Sequence, residues 1–331
     1  MTKKNIDARP APPGTRGYRW FTWVFGLAML AAVTVGALHF SEERQIVRIA
    51  QAAQPWWLLA ALLLQGATYV AEGSIWRVVL RAGGTGMSLS LAWRLSLAKL
   101  FIDQALPSGG ISGATVVAQA LQRQAAPRPL VIAAIVVDAV GYYGAYVLAL
   151  ALALVITALE RHANTLVLVA AICFAIVSLT VAGGALAQAG RRTTMPRWLA
   201  RIPVLRSGFA LLGEADPVLA RSPRLLGCGV LLQLGIMLLD AATVWTLIRS
   251  LGELASPAGV FASFMASTLL RTLSIVPGGL GVFEAASVTT LQLAGVSLPV
   301  ALAATLLFRG LSFWLPMIPG VLFAHAQDKP V

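Results

Sequence analysis

Long apolar runs alternate with short charged stretches along the chain, and the runs fall into two length classes. Those at 20–40, 55–80, 130–158, 164–189, 225–249 and 298–324 reach the ~20 residues that a helix needs to cross a bilayer. Four shorter runs form two pairs, 89–106 with 108–122 and 258–276 with 280–294. Each pair meets at a Pro/Gly break. The first holds Pro107, Gly109 and Gly110, and the second reads Pro277-Gly278-Gly279-Leu280-Gly281-Val282-Phe283-Glu284. Non-helical backbone at membrane depth survives only where protein buries it or a wet cavity solvates it. Paired breaks in two halves of a chain therefore point to a binding site near the bilayer midplane. The pattern predicts an all-α polytopic membrane protein with six full-length transmembrane helices and two re-entrant helical hairpins.

Composition agrees. Of 331 residues, 58% are hydrophobic and 11% are charged, where a soluble domain carries about 25% charge. The runs are continuously apolar rather than alternating, which excludes an outer-membrane barrel. The net charge of +12 sits in the loops, so it reads as an orientation signal and as contact with anionic lipid, not nucleic acid. The segment 190–224 carries Arg191, Arg192, Arg197, Arg201, Arg206, Arg221 and Arg224 against Glu214 and Asp216. The positive-inside rule makes it cytoplasmic, along with both termini. Trp198, Leu199, Ile202, Leu205, Phe209 and Leu212 recur within it at helical spacing, as in an amphipathic helix on anionic lipid headgroups or a folded basic connector.

The expected organisation is a basic N-terminus at 1–19, one integral membrane domain at 20–324 and a short cytoplasmic tail at 325–331. The run at 20–40 is longer than the core of a signal peptide and reads as a retained first helix. With this topology the first hairpin enters from the cytoplasm and the second from outside. An offset of 169 places Trp76 on Trp245, Gly109 on Gly278 and Gly110 on Gly279. Residues 55–158 and 225–324 then read as two copies of one unit in opposite orientation, an inverted repeat. The alternative is chance resemblance between two membrane hairpins.

Cys173, Cys228, His39, His162 and His325 are scattered, and neither a disulfide nor a metal site is expected. No cofactor is expected, and no nucleotide-binding Gly-x-x-x-x-Gly-Lys-Ser/Thr sequence is present. Ionisable groups at membrane depth cost about 2.5–3.5 kcal/mol each, so each needs a partner or a use. They are Glu72, Arg77, Arg94, Lys99, Asp103, Asp138, Asp240, Arg271, Glu284 and Arg309. Glu284 follows the second break, either as a ligand for a cationic headgroup or proton, or as a carboxylate complementing a helix N-terminus. Arg271 and Arg309 are candidates to pair with Glu284 or to hold a phosphate, for which a planar guanidinium is suited. Asp138, Tyr142 and Tyr146 share a helix face, lining a cavity or forming a hydrogen-bonded interhelical contact. Lys99 and Asp103, four apart, are expected to neutralise each other. Gly109, Gly110, Gly278, Gly279 and Gly281, with Pro107 and Pro277, are expected to line the cavity as backbone breaks.

Gly110-Ile111-Ser112-Gly113 resembles the Gly-x-Ser-Gly of rhomboid proteases. A serine nucleophile needs a base in reach, and no histidine here lies mid-span. Ser112 reads instead as a helix cap.

The second break, with Glu284 and then Arg309 in the next helix, resembles the flippase-like membrane region of the lysylphosphatidylglycerol synthases. Pro107, Gly109 and Gly110 fit that family's earlier Pro/Gly element, and the likeness covers roughly 45–325. Members often carry a Glu-Arg pair ahead of the middle-helix Asp, whereas Val136-Val137-Asp138 keeps the Asp alone. The resemblance implies translocation of an aminoacyl phospholipid, a glycolipid or a polyprenyl-linked lipid between leaflets. Val331 follows soon after the last helix, leaving no room for the soluble synthase domain, so no lipid synthesis is expected. The second reading is a non-transporting accessory protein that holds a lipid-modifying enzyme at the membrane.

Overall fold

The computed structural model describes residues 53–105, 111–159, 165–191, 203–274 and 277–327, all within the unit Arg44–Val331. The basic N-terminus, the run at 20–40, Pro107, Gly109, Gly110 and 192–202 lie outside them. Every regular element among the described residues is helical. In chain order they are α1 Pro55–Ala82, α2 Leu89–Ala105, α3 Ile111–Arg123, α4 Arg128–Leu159, α5 Thr165–Gln188, α6 Pro203–Leu212, α7 Pro217–Ala220 and α8 Pro223–Ser250. Next come α9 Pro257–Leu273, a short tight turn Pro277–Gly279, α10 Val282–Leu293, α11 Leu298–Arg309 and α12 Leu315–Gln327.

Five helical stretches are long and apolar enough to cross a membrane: Pro55–Ala82, Arg128–Leu159, Val167–Gln188, Pro223–Ser250 and Leu298–Gly320. The protein is a multi-pass membrane protein. Five of the expected spans thus appear in place. The expected 298–324 continues through a wide turn at Gly310–Trp314, where α11 passes into α12 without leaving right-handed helical backbone. There the Leu315 N–H reaches back to the Gly310 carbonyl. Pro316 follows; it has no N–H to donate and clashes with the preceding turn, which loosens the ladder at this point.

Helix starts follow elementary rules. α1, α8 and α9 each begin with a proline, whose fixed φ suits the first helical position and whose missing N–H would go unpaired there anyway. α1 and α8 are each 28 residues long, and α2 and α9 each 17. Packing repeats as well. α1 packs on α2, α2 on α3, α3 on α4, and α1 on α4. In the same way α8 packs on α9, α9 on α10, α10 on α11, and α8 on α11. Across the halves, α2 meets α12, and α9 meets α4.

α1 and α8 form the most extensive helix pair. The Gln54 N–H donates to the Ser250 carbonyl at one end, and Gln65 meets Asp240 further along. Gln233 then meets Glu72. Rising numbers on one helix match falling numbers on the other, so the two run antiparallel. Close approach elsewhere relies on small residues, as expected where lipid supplies no hydrophobic drive between helices. A Cβ on Gly141 of α4 would lie 2.8 Å from the backbone of Gly229 in α8, and one on Gly73 of α1 would lie 2.7 Å from that of Ala92 in α2.

Of the three apolar cores among the described residues, two are the larger. One joins Ile75 and Trp76 of α1 to Leu95, Leu121, Val137 and Leu225. The other joins Tyr146 of α4 to Phe174, Met265, Phe283 and Phe308. α4 and α8 contribute to both. On α5, Ile176, Val177 and Leu179 stand exposed, as suits a lipid-facing helix.

Candidate functional site

The second break, at 277–281, lies among the described residues. Gly278, Gly279 and Gly281 adopt φ of 64°, 61° and 83°, a region that L side chains enter only at a cost. Space excludes larger residues too. A Cβ on Gly279 would lie 2.1 Å from Cγ of Arg271, and one on Gly278 2.8 Å from the Phe313 ring.

α10 starts immediately after the break, and its first N–H groups have no partner within the helix. Glu284 serves them: its Oε2 accepts from the Gly281 N–H at 2.6 Å. Its Oε1 accepts from Arg309 Nε, also at 2.6 Å. Arg309 in turn donates through Nη2 to the Gly278 carbonyl at 3.1 Å. Its guanidinium lies 4.5 Å from the Phe313 ring centre and 5.2 Å from that of Phe283. Arg309 is buried, at 3% exposure. Glu284 thus meets the start of α10, and Arg309 pairs with Glu284. Together they staple α11 to the broken backbone.

Arg271 behaves differently. Its aliphatic stem covers Gly279 and its guanidinium lies 5.9 Å from the Phe283 ring centre. It is half-buried, and it forms no ion pair among the described residues. Beside it on α9, Thr272 meets the Tyr146 hydroxyl at 3.4 Å. Tyr142 packs edge-on against Tyr146 at 5.6 Å. α4 thus walls this region with its tyrosines.

One turn further back, α4 serves another cluster. Asp138 accepts from Gln233 Nε2 at 2.8 Å, from Trp76 Nε1 at 3.3 Å and from Lys99 Nζ at 3.3 Å. Lys99 also pairs closely with Glu72, and Gln233 donates to the other Glu72 oxygen at 2.9 Å. Lys99 does not simply neutralise Asp103, as their spacing suggested. Its ammonium turns toward α1 and α4, where two carboxylates converge. Asp103 accepts instead from the Gly113 N–H at 2.9 Å, at the start of α3. Ser112 lies in the first turn of α3 rather than before it. Arg77 donates to the Met87 carbonyl at 3.0 Å, which fixes the α1–α2 corner.

Sequence reasoning passed over Gln65 and Gln233, because neutral residues raise no charge alarm. The signal was nevertheless present. In both α1 and α8 the eleventh residue is Gln and the eighteenth is acidic, Glu72 and Asp240. Each glutamine donates to the other helix's carboxylate: Gln65 to Asp240 at 3.2 Å and Gln233 to Glu72 at 2.9 Å. The helix starts set the offset at 168 (Pro55 to Pro223), one less than the tryptophan match suggested. In the basic loop, Arg221 donates to the Leu186 and Ala187 carbonyls, both at 3.0 Å, and so closes the end of α5.

A family model, the lysylphosphatidylglycerol synthase TM region, matches residues 21–320. The chain belongs to that family. It is also 26% identical over 117 residues to a UPF0104 membrane protein of Methanothermobacter thermautotrophicus. That match spans 35% of this chain and 35% of the archaeal protein.

Proposed function

We propose that this chain moves lipid between the leaflets of a bacterial inner membrane, with both termini cytoplasmic. The observation that carries the reading is Arg271, set against the broken backbone at 277–281 with no carboxylate paired to it among the described residues. A guanidinium at that depth is costly without a partner. A phosphate is the group its planar fork suits, and a phospholipid or polyprenyl-phosphate headgroup brings one to that depth. Acyl chains would stay in the surrounding hydrocarbon.

Three further features support the reading. The antiparallel α1–α8 pair, with reciprocal glutamine–carboxylate bonds, is what a two-fold axis in the membrane plane would produce. The matched order of helices on each side fits an inverted repeat, whose two short helix pairs enter from opposite faces as re-entrant hairpins. The family takes its name from enzymes of lysyl-phosphatidylglycerol synthesis, which ties the fold to lipid. Within this reading the chain is a transporter rather than an enzyme, and lipid is its substrate.

Reconstituted protein is expected to speed exposure of a fluorescent phospholipid to an external quencher, and Arg271→Ala to abolish most of that gain. Mass spectrometry of lipids bound to the purified protein should show one phosphate-bearing class enriched and lost in the same variant. A wild-type rate and an unchanged lipid profile in Arg271→Ala would remove the site assignment. A second reading, an accessory protein for a lipid-modifying enzyme, draws on α6 within the basic loop. Deleting 203–212 would end that role while leaving lipid bound to the core.

A further inference from the structure

The two halves place equivalent carboxylates in unequal surroundings. Glu72 and Asp240 stand at the same position of α1 and α8, and each accepts a hydrogen bond from the other helix's glutamine. Glu72 also has a cation, the ammonium of Lys99. Lys99 is the eleventh residue of α2, and the eleventh residue of α9 is Ser267. Ser267 donates to the Ser263 carbonyl at 2.7 Å and brings no charge. Asp240 consequently forms no ion pair with any described lysine, arginine or histidine.

Gln65 supplies the hydrogen bond that Asp240 receives and ties it to two neighbouring hydroxyls. Gln65 Nε2 contacts Asp240, the Thr68 hydroxyl at 3.2 Å and the Tyr69 hydroxyl at 3.4 Å. The same amide's oxygen, Gln65 Oε1, has no hydrogen-bond partner although the residue is only 4% exposed. A buried acceptor without a donor is costly, and this one belongs to the amide that already holds the carboxylate. Carboxylate, amide and hydroxyl oxygens are the donors that hard cations select. The ionisable groups on helices packed against α8 are Tyr69, Glu72, Arg77 and Arg81 on α1, Arg128, Asp138, Tyr142, Tyr143 and Tyr146 on α4, Arg271 on α9 and Arg309 on α11. Of these, Arg271 acts electrostatically on Asp240 without contact.

We propose that Asp240 holds a small monovalent cation, a sodium ion or a proton, in the place that the Lys99 ammonium takes beside Glu72. Lys99 is the built-in occupant of one half-site, and the other half-site exchanges its occupant with solvent. Binding of the cation stands on this geometry alone. Its use to drive lipid movement rests on the transport reading above.

The test uses the full chain purified in mild detergent. Thermal unfolding is followed while sodium replaces choline at constant ionic strength and pH, and then while pH is varied without sodium. A ligand that binds the folded state alone raises the midpoint. Wild type is expected to show a saturable rise with sodium, or, with a proton as the occupant, a rise on acidification and no sodium effect. Asp240→Asn should lose whichever response wild type shows, and Glu253→Gln, whose carboxylate meets Ser297 instead, should keep it. Gln65→Leu retains the carboxylate and covers the case in which Asp240→Asn fails to fold: it should weaken a sodium response at least tenfold in apparent affinity, and should move a proton response to higher pH, because the amide donor that favours the ionised carboxylate is lost. A wild-type midpoint flat in both series would overturn the proposal, as would Asp240→Asn or Gln65→Leu responding like wild type. No lipid enters this measurement, so it succeeds or fails separately from the translocation assay.

Discussion

The two Pro/Gly segments follow helices of the same length, and the fifteenth residue of each helix contacts a glycine further along the chain. In α2 that residue is Asp103, which accepts from the Gly113 N–H. In α9 it is Arg271, whose stem covers Gly279. The carboxylate is occupied by the helix start that it faces. The guanidinium covers backbone with its carbons and leaves its charge toward the bundle interior. In the first half, Lys99 pairs with two carboxylates, Glu72 and Asp138. In the second, Arg309 is matched to Glu284, and Arg271 has no such match among the described residues. Geometry of the scaffold is common to both halves, whereas the charge set upon it differs. This division suits a protein in which one half holds itself together and the other meets a ligand.

The strongest break in that comparison should come from Lys99. Lys99→Met leaves Glu72 and Asp138 buried together without their cation, a loss of about 3–5 kcal/mol by analogy with other buried pairs. The thermal midpoint in detergent should fall steeply, and adding Glu72→Gln should recover part of the loss. A midpoint at the wild-type value would show that the first cluster is not held by its ammonium.

Gly279→Ala follows. A left-handed backbone costs a side-chain-bearing residue about 1–3 kcal/mol, and the new methyl would displace the Arg271 stem. Stability should drop moderately and lipid translocation severely. Equal translocation in this variant and in wild type would separate the break from function.

The smallest effect concerns the reciprocal glutamines. Gln233→Leu removes a donor from two carboxylates, Glu72 and Asp138, while Gln65→Leu removes one from Asp240 alone. Hydrogen bonds to charged groups contribute about 1.5–3 kcal/mol, so Gln233→Leu should lower the midpoint further than Gln65→Leu. The reverse order would mean that the Asp240 half-site, not the Lys99 cluster, carries the α1–α8 contact.

Much of the architecture was legible. The run expected at 130–158 is α4 Arg128–Leu159, and the pair expected at 258–276 and 280–294 is α9 with α10. Apolar length and the Pro/Gly punctuation fix such elements, because lipid leaves a backbone no choice but to pair its own polar groups. The pairings among charges were less legible. Spacing along one helix joined Lys99 to Asp103, yet Glu72 and Asp138 approach from α1 and α4 and compete for the same ammonium. Spacing did bring Glu284 and Arg309 into consideration, but could not say that Arg309 rather than Arg271 would take the carboxylate.

Sequence alone therefore determined that this is an all-α membrane bundle whose apolar runs are punctuated by Pro/Gly segments at 107–110 and 277–281. Those features depend on local chemistry: hydropathy, the stiffness of proline and the freedom of glycine. Tertiary structure decided which cation meets which carboxylate, and that α1 and α8 lie antiparallel with Gln65 and Gln233 exchanged between them. Those outcomes depend on how helices rotate and cross, which close approaches such as Gly141 on Gly229 set across distances in the chain that no local pattern encodes.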